Sequence, residues 1–326
     1  VYAGTEKGVY VLQGPNWKMI EGSPQAPVYV MKGQQEGAIA AIGEYLYEID
    51  SERCQNISFL PSSETNDISI RRETFLIATN YGLYRVKNGR VKPVRRLNDL
   101  LGENPTLYAV ACSEDGMLAA AAEAGLFVKK PGESWSAVHP RDENHGGWAP
   151  QPVFGVAFDA QKRLWFASRQ GVGCYDEEWK LYTGSDGLPY NDFTCLSAGE
   201  DGAVWFGTQI GAIRFDGENW GYRQGRRWLP HDQINDLAVM QNGSAWIATP
   251  GGVGLIERRP MTLQEKAAFY EEEIEKYIKR TEYGYLSEVI LPTPGDKSEI
   301  RYSDSDNDGL WTSMYGAGEC FAYGAT

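Results

Sequence analysis

Residues 203–220 read AVWFGTQIGAIRFDGENW, and residues 163–179 read RLWFASRQGVGCYDEEW, nearly the same phrase in other letters. Aligning on the short apolar run and the glycine expected six positions after its start gives seven phrases. They are YAGTEKG (from Tyr2), IAAIGEY (Ile39), LIATNYG (Leu76), AAAAEAG (Ala119), WFASRQG (Trp165), WFGTQIG (Trp205) and WIATPGG (Trp246). Their starts are 37, 37, 43, 46, 40 and 41 residues apart. A period of roughly 40 to 50 residues is that of a four-stranded propeller blade or a similar array unit. The second phrase departs from the pattern, with Tyr45 where glycine is expected.

Within a unit the residues resolve into strands, as in FTCLSAGE, AVWFGT, AIRFD and ENWGYR, with alternation and aromatic or β-branched enrichment in each. Asp115-Gly116, Asp201-Gly202 and Asn242-Gly243 mark the first hairpin of a unit. These dipeptides accept positive φ at both turn positions and suit two-residue hairpins. Helical repeats are excluded, because the repeated core is short, β-branched and interrupted by glycine. The fold expected is therefore all-β: a seven-bladed β-propeller of four-stranded blades over residues 1–257, with a C-terminal helical extension over 258–326. Trp165, Trp205 and Trp246 hold equivalent strand positions and are expected to pack between blades, and Trp17, Trp135, Trp179 and Trp220 recur in the outer strand.

The stretches LWFASRQGVGCYD, VWFGTQIGAIRFDGENW and AWIATPGGVGLIE resemble the propeller repeats of two-component regulator sensors and, more distantly, those of streptogramin lyase. The resemblance covers about residues 1–257; it implies the propeller and leaves the activity open.

After the last repeat, Thr262-Leu263-Gln264-Glu265 is a capping box. Apolar residues follow at Leu263, Ala267, Tyr270, Ile274, Tyr277 and Ile278, an amphipathic helix of about five turns. The closing LWTSMYGAGECFAYGAT reads as another helix, so that 258–326 could be the start of a longer helical domain similar to the α/α toroids of some carbohydrate enzymes. The chain opens with VYAGTEKGVYVL, already at the second strand of a unit, so upstream sequence is expected. The innermost strand of that first blade would come from there or from the C-terminal segment, with Glu299-Ile300-Arg301-Tyr302 a candidate.

Composition bounds the partners. A net charge of -13 over 326 residues excludes a surface that tracks nucleic acid or anionic lipid as a whole, so an anionic ligand needs a local basic patch. No apolar run reaches the roughly 20 residues of a membrane span. The five cysteines, at 54, 112, 174, 195 and 320, have no metal-type spacing. Compartment stays open, an extracellular or secreted one being favoured.

Propellers gather the blade-to-blade connections on one face around the channel mouth, where ligand sites form. The connections 137–152, 183–192 and 223–233 hold all three histidines, His139, His145 and His231, with Arg141, Trp148, Tyr190, Arg223, Arg226, Arg227 and Trp228. Trp148 and Trp228 break the tryptophan register of the repeat. This basic and aromatic set suits an acidic oligo- or polysaccharide or another small anion, since guanidinium forks match carboxylates and tryptophan stacks on sugar rings. An elimination on a uronate glycan would need a cation, a proton acceptor and a leaving-group acid. His145, His231, Tyr190 and Arg227 supply those types as catalytic candidates, and His139, Arg141, Trp148, Arg223, Arg226 and Trp228 are the binding candidates. A non-catalytic sensor or a protein-interaction scaffold would use the same loops without turnover.

The one cofactor class with a place in the sequence is a divalent cation such as calcium. Asp304, Asp306 and Asp308, in DSDNDG, match the opening half of a calcium loop. Tyr315 stands where the bidentate glutamate belongs, and capping of a helix N-terminus by Asp306 or Asp308 is the alternative.

Overall fold

The computed structural model describes residues 1–325 apart from 35, 52, 62, 63, 143–145, 280 and 294. The chain divides into two compact units, Val1–Glu257 and Arg258–Thr326.

The first unit is a seven-bladed β-propeller of antiparallel sheets. Blade 1 has β1 (Tyr2–Thr5), β2 (Gly8–Gln13) and β3 (Asn16–Met19). Blade 2 has β4 (Val28–Gly33), β5 (Ala38–Ile42), β6 (Tyr45–Ile49) and β7 (Cys54–Phe59). Blade 3 has β8 (Thr65–Arg71), β9 (Thr74–Thr79), β10 (Gly82–Lys87) and β11 (Arg90–Pro93). The helix α1 (Arg95–Leu101) leads to blade 4, with β12 (Leu107–Cys112), β13 (Leu118–Ala122), β14 (Gly125–Lys129) and β15 (Ser136–Val138). A small hairpin of β16 (Arg141–Asp142) and β17 (Gly146–Gly147) precedes blade 5, with β18 (Val153–Phe158), β19 (Leu164–Ser168), β20 (Gly171–Asp176) and β21 (Glu178–Tyr182). Blade 6 has β22 (Phe193–Ala198), β23 (Val204–Thr208), β24 (Gly211–Phe215) and β25 (Trp220–Arg223), and blade 7 has β26 (Asp236–Val239), β27 (Ala245–Thr249) and β28 (Gly252–Ile256).

The first strands of blades 2 to 7 lie side by side around the axis, and β1 lies beside β4. Blade 7 meets blade 1 through Trp246 and Trp17, whose rings stand edge to face with centroids 6.4 Å apart. The two end blades have three strands each, blade 1 lacking an innermost strand and blade 7 an outermost one among the described residues.

The repeated phrase is the second strand, its turn and the start of the third. In blades 5 and 6 every residue of the second strand is buried, because sheets cover both of its faces. A hydroxyl at the strand's end donates to the carbonyl of the glycine three residues on: Ser168 to Gly171 (3.1 Å), Thr208 to Gly211 (2.7 Å), and likewise Thr5, Thr79 and Thr249. The glycine itself is required by geometry. Gly171 has φ +142°, and a Cβ there would lie 2.2 Å from the carbonyl oxygen of Tyr182 on the outer strand. Tryptophans of the phrase pack between blades as expected: Trp165, from blade 5, stacks on Tyr182 and meets Phe215 of blade 6.

The first hairpins differ from the two-residue turns expected. Only the glycine of each dipeptide has positive φ (Gly116 +97°, Gly202 +81°, Gly243 +79°). The turn is one residue longer: Gly199 N–H donates to the Ala203 carbonyl and Gly202 N–H to that of Gly199, as in a type I turn followed by a left-handed residue. Blade 5 repeats this geometry with Lys162 in the left-handed position.

In the second unit the capping box forms, with Glu265 N–H donating to Thr262 Oγ1 (3.2 Å) and Thr262 N–H to Glu265 Oε2 (2.7 Å). It opens α2 (Leu263–Glu273), which runs on as a wider turn over Ile274–Ile278. Of the periodic residues Leu263 and Tyr270 are 88% and 51% exposed while Ile274, Tyr277 and Ile278 are half-buried, so the face is open over its first turns and partly covered beyond them. A hairpin of β29 (Glu288–Ile290) and β30 (Arg301–Ser303) follows, then α3 (Asp308–Ala325). Tyr302 pairs with Val289 in that hairpin, which removes Glu299–Tyr302 as the closing strand of blade 1. No helix among the described residues is long and apolar enough to cross a membrane.

Candidate ligand site at the channel mouth

Each inner strand of blades 2 to 6 carries a bulge at the same point, between Val28 and Val30, Thr65 and Asp67, Leu107 and Ala109, Val153 and Gly155, and Phe193 and Cys195. A bulge leaves one residue unpaired and re-aims its side chain. The residues so placed are Tyr29, Asn66, Tyr108, Phe154 and Thr194. They stand at the strand end reached by the blade-to-blade connections, which is also the end of the turns between second and third strands.

Blades 4 and 5 build a polar and aromatic group there. Tyr108 OH donates to Glu123 Oε2 at 2.7 Å, from the inner strand to the second turn of the same blade. The Phe154 ring lies 5.6 Å from that of Tyr108, and Arg169 Cζ is 5.9 Å from the Phe154 centroid. Burial first, then the hydrogen bond and charge of Glu123, push the Tyr108 phenol up to about 12, against the pull of Arg169. The phenol is therefore a donor at neutral pH and a poor base. Beside them, Asn66 Nδ2 donates to Asn80 Oδ1 (2.7 Å) and to the Leu107 carbonyl (2.8 Å), and Asn80 Nδ2 donates to Glu64 Oε2 (2.6 Å). An exposed guanidinium, two ring edges and fixed amides can hold a small ligand bearing a carboxylate.

The residues selected from sequence fall into two places. Arg223 Cζ sits 4.7 Å and Arg227 Cζ 5.8 Å from the ring centroid of Trp228, which is 41% exposed, so these three form one cation–π cluster on the connection from blade 6 to blade 7. Arg226 and His231 on the same connection are exposed, and His231 Nδ1 accepts from the Gln233 N–H at 3.0 Å. Tyr190 is half-buried against the blade 5–blade 6 core, and its phenol and the Asp232 carboxylate both bear on Tyr222, whose pKa is raised first by burial. His139 is exposed at the end of β15.

Arg141 lies in the β16–β17 hairpin, which Asp142 fastens to the outer strand of blade 5 by accepting from the Leu181 N–H at 2.8 Å. That places it at the blade's outer strand instead of the inner mouth. Trp148 is 7% exposed and meets Phe166 edge to face at 6.3 Å, so it is a core residue with no face for a ligand. Its break of the repeat register signals an extra piece of packing, not a site. His145 lies outside the described residues.

Sequence reading missed Tyr108, Glu123, Phe154 and Arg169. The signal was present as an aromatic at the third position of TLYAVAC and PVFGVAF, beside a small residue, where the strand alternation slips.

Inside the channel, Lys32 of blade 2 pairs with Asp67 of blade 3 at 3.1 Å. Asp67 also accepts the Ile68 and Val110 N–H groups, tying blades 2, 3 and 4. The Lys32 ammonium is raised well above its ordinary value by Asp67, against desolvation, and Asp236 of blade 7 adds to it. Burial pushes the Cys195 thiol up to about 12, so it is no nucleophile.

Asp304, Asp306 and Asp308 do not form a metal centre: no group of three or more His, Cys, Asp or Glu side chains among the described residues is placed to hold a metal ion. Asp308 stands in the first turn of α3, where a carboxylate complements the helix dipole.

No family model and no curated protein matches the chain. Solved structures match its fold at low identity. The extracellular domain of a two-component system from B. thetaiotaomicron is 15% identical with a TM-score of 0.63, over 80% of this chain and 37% of that one. A streptogramin B lyase is 14% identical with a TM-score of 0.59, over 77% of this chain and 86% of that one. A catalytically inactive virginiamycin B lyase from Staphylococcus aureus, with quinupristin, gives 12%, 0.58, 77% and 87%. The chain thus shares the propeller of both groups and spans little more than a third of the two-component domain. Nothing among these matches supports the toroid resemblance.

Proposed function

We propose that the protein is a ligand-binding propeller of the sensor type, taking a small carboxylate-bearing ligand, such as an acidic oligosaccharide, at the channel mouth. The observation that carries this reading is the group Tyr108, Glu123, Phe154 and Arg169, drawn from two blades and from both kinds of loop on one face. Arg169 would receive the carboxylate, Phe154 and Tyr108 the apolar face, and the Asn66–Asn80 pair the hydroxyls. The Arg223–Trp228–Arg227 cluster on the same face would extend the site to longer ligands. An extracellular location agrees with the extracellular domains among the neighbouring structures.

Lyase-type elimination or hydrolysis of a uronate glycan is the weaker reading. It needs a base at neutral pH, and the Tyr108 phenol is held protonated while His231 stands in open solvent.

Calorimetric titration with glucuronate and galacturonate oligosaccharides tests both. Binding weakened about tenfold or more by Arg169→Ala, with no new ultraviolet-absorbing product, supports the sensor reading. An unsaturated product appearing with the parent protein would establish the lyase, and silence in both readouts would remove both. Because burial raises the folded Tyr108 value to about 12, its protonated form and any affinity that depends on it are kept past about pH 10, where an ordinary tyrosine is half ionised, and are lost as pH rises through about 12.

A further inference from the structure

The outer hairpin of blade 3 concentrates positive charge on a protein of net charge -13. In the register of β10 and β11, Arg85 lies directly opposite Lys92 and Lys87 directly opposite Arg90. The four share one face of the sheet, since residues two apart point the same way and paired residues lie on the same side. All four are exposed. The inner row continues from Lys87 through Thr74 to Arg71. Cross-strand neighbours are about 5 Å apart and residues along a strand about 7 Å, so four cations share a patch on the order of 10 Å wide. None of the four has a carboxylate within ion-pair distance among the described residues.

Like charges directly opposite in a sheet destabilise it. Lysine and arginine also guard an exposed edge strand such as β11 against pairing with other chains, so the charge alone does not mark a site. Here Arg85, Lys87, Arg90 and Lys92, with Asn88 at the turn, line an open depression of about 440 Å³. No aromatic ring lines it, so recognition there rests on charge and hydrogen bonds rather than stacking on a base or sugar face.

We propose that this depression binds a compact polyvalent oxyanion, one carrying two or more phosphate or sulfate groups about 5 to 7 Å apart. The two guanidinium forks suit tetrahedral oxyanions bidentately and the two ammonium groups add point charge. Compactness follows from the acidic balance of the rest of the chain, which repels a long polyanion wherever it leaves the patch. The site is separate from the channel mouth and independent of the function proposed there.

Calorimetric titration of the full chain with tripolyphosphate, a sulfated heparin disaccharide and inorganic phosphate tests the proposal. At least one of the first two binds about tenfold or more tighter than inorganic phosphate, and weakens as salt rises. Which of them is tighter assigns the phosphate or the sulfate source. Arg85→Ser with Lys92→Ser loses that tenfold advantage, while its unliganded thermal midpoint stays level or rises, because repulsion is relieved. Lys87→Gln with Arg90→Gln serves equally if the first pair disturbs folding, and Arg169→Ala leaves the affinity unchanged. Polyvalent anions that bind no tighter than inorganic phosphate, or affinity retained in both double variants, would overturn it.

Discussion

Blade 5 and the two end blades are written in the same phrase and held in different ways. In blade 5 the second strand is closed on all sides, and Trp165 fills the joint with blade 6 while its Nε1 donates to the buried Asp159 carboxylate at 2.8 Å. At the junction of blades 7 and 1 the matching tryptophan, Trp246, is half-buried and meets Trp17, which is 37% exposed. In blade 1 the second-strand role falls to β1, whose Gly4 is exposed because no described strand covers its inner edge. The repeat therefore sets what each blade can pack, but the neighbours decide how much of that packing is realised.

The comparison breaks most sharply at the tryptophans. Trp165→Ala removes a fully packed ring and one donor to Asp159, and an expected loss of about 3–5 kcal/mol follows from the cavity and transfer terms. Trp246→Ala should cost about 1–2 kcal/mol, since part of that ring's surface is in water already. Urea titration of both variants at one temperature measures the difference. Equal losses would mean that the ring joint at blades 7 and 1 is as tight as those between the middle blades.

The same contrast explains what could be read from the chain. Seven phrases at a near-constant period gave the blades, because a buried second strand must be apolar and its turn needs a hydroxyl and a glycine. The capping box at Thr262 was equally legible, being local. The mouth was not, because Tyr108, Glu123, Phe154 and Arg169 come together only through bulges and blade stacking that leave a faint mark in the alternation. Trp148 misled for a related reason: leaving the repeat register identifies an inserted residue, but its burial depends on Phe166, eighteen positions away in sequence and on another strand. The acidic run at Asp304 misled because alternation of carboxylates in sequence does not make them converge in space.

A second test uses the glycines that open the third strands. Gly171 and Gly252 have similar backbones, φ +142° and +126°, so alanine is strained by about 1 kcal/mol at either. At Gly171 the new Cβ also runs into the Tyr182 carbonyl at 2.2 Å, whereas at Gly252 nothing lies within 4 Å, because no fourth strand among the described residues closes over blade 7 there. Gly171→Ala should therefore cost about 2–3 kcal/mol, the added clash forcing β21 away, and Gly252→Ala about 1 kcal/mol. A thermal melt that shows the two variants alike would imply that the edge of β28 is covered in solution.

The smallest effect lies in the hydroxyls. Thr208 is fully buried and donates to the Gly211 carbonyl at 2.7 Å, while Thr5 makes the same bond at 2.8 Å in the more open blade 1. Valine keeps the shape and removes the donor. At Thr208 the stranded carbonyl has no water to turn to, so about 1 kcal/mol is lost; at Thr5 solvent replaces the hydroxyl, and the loss is on the order of a few tenths. Amide exchange at Ile210, whose N–H donates to Thr208 Oγ1 at 3.2 Å, gives a local readout of the same change. Faster exchange there in Thr208→Val, with global stability lowered by no more than that 1 kcal/mol, would place the hydroxyl's role in fixing the turn; unchanged exchange would mean that the glycine alone holds it.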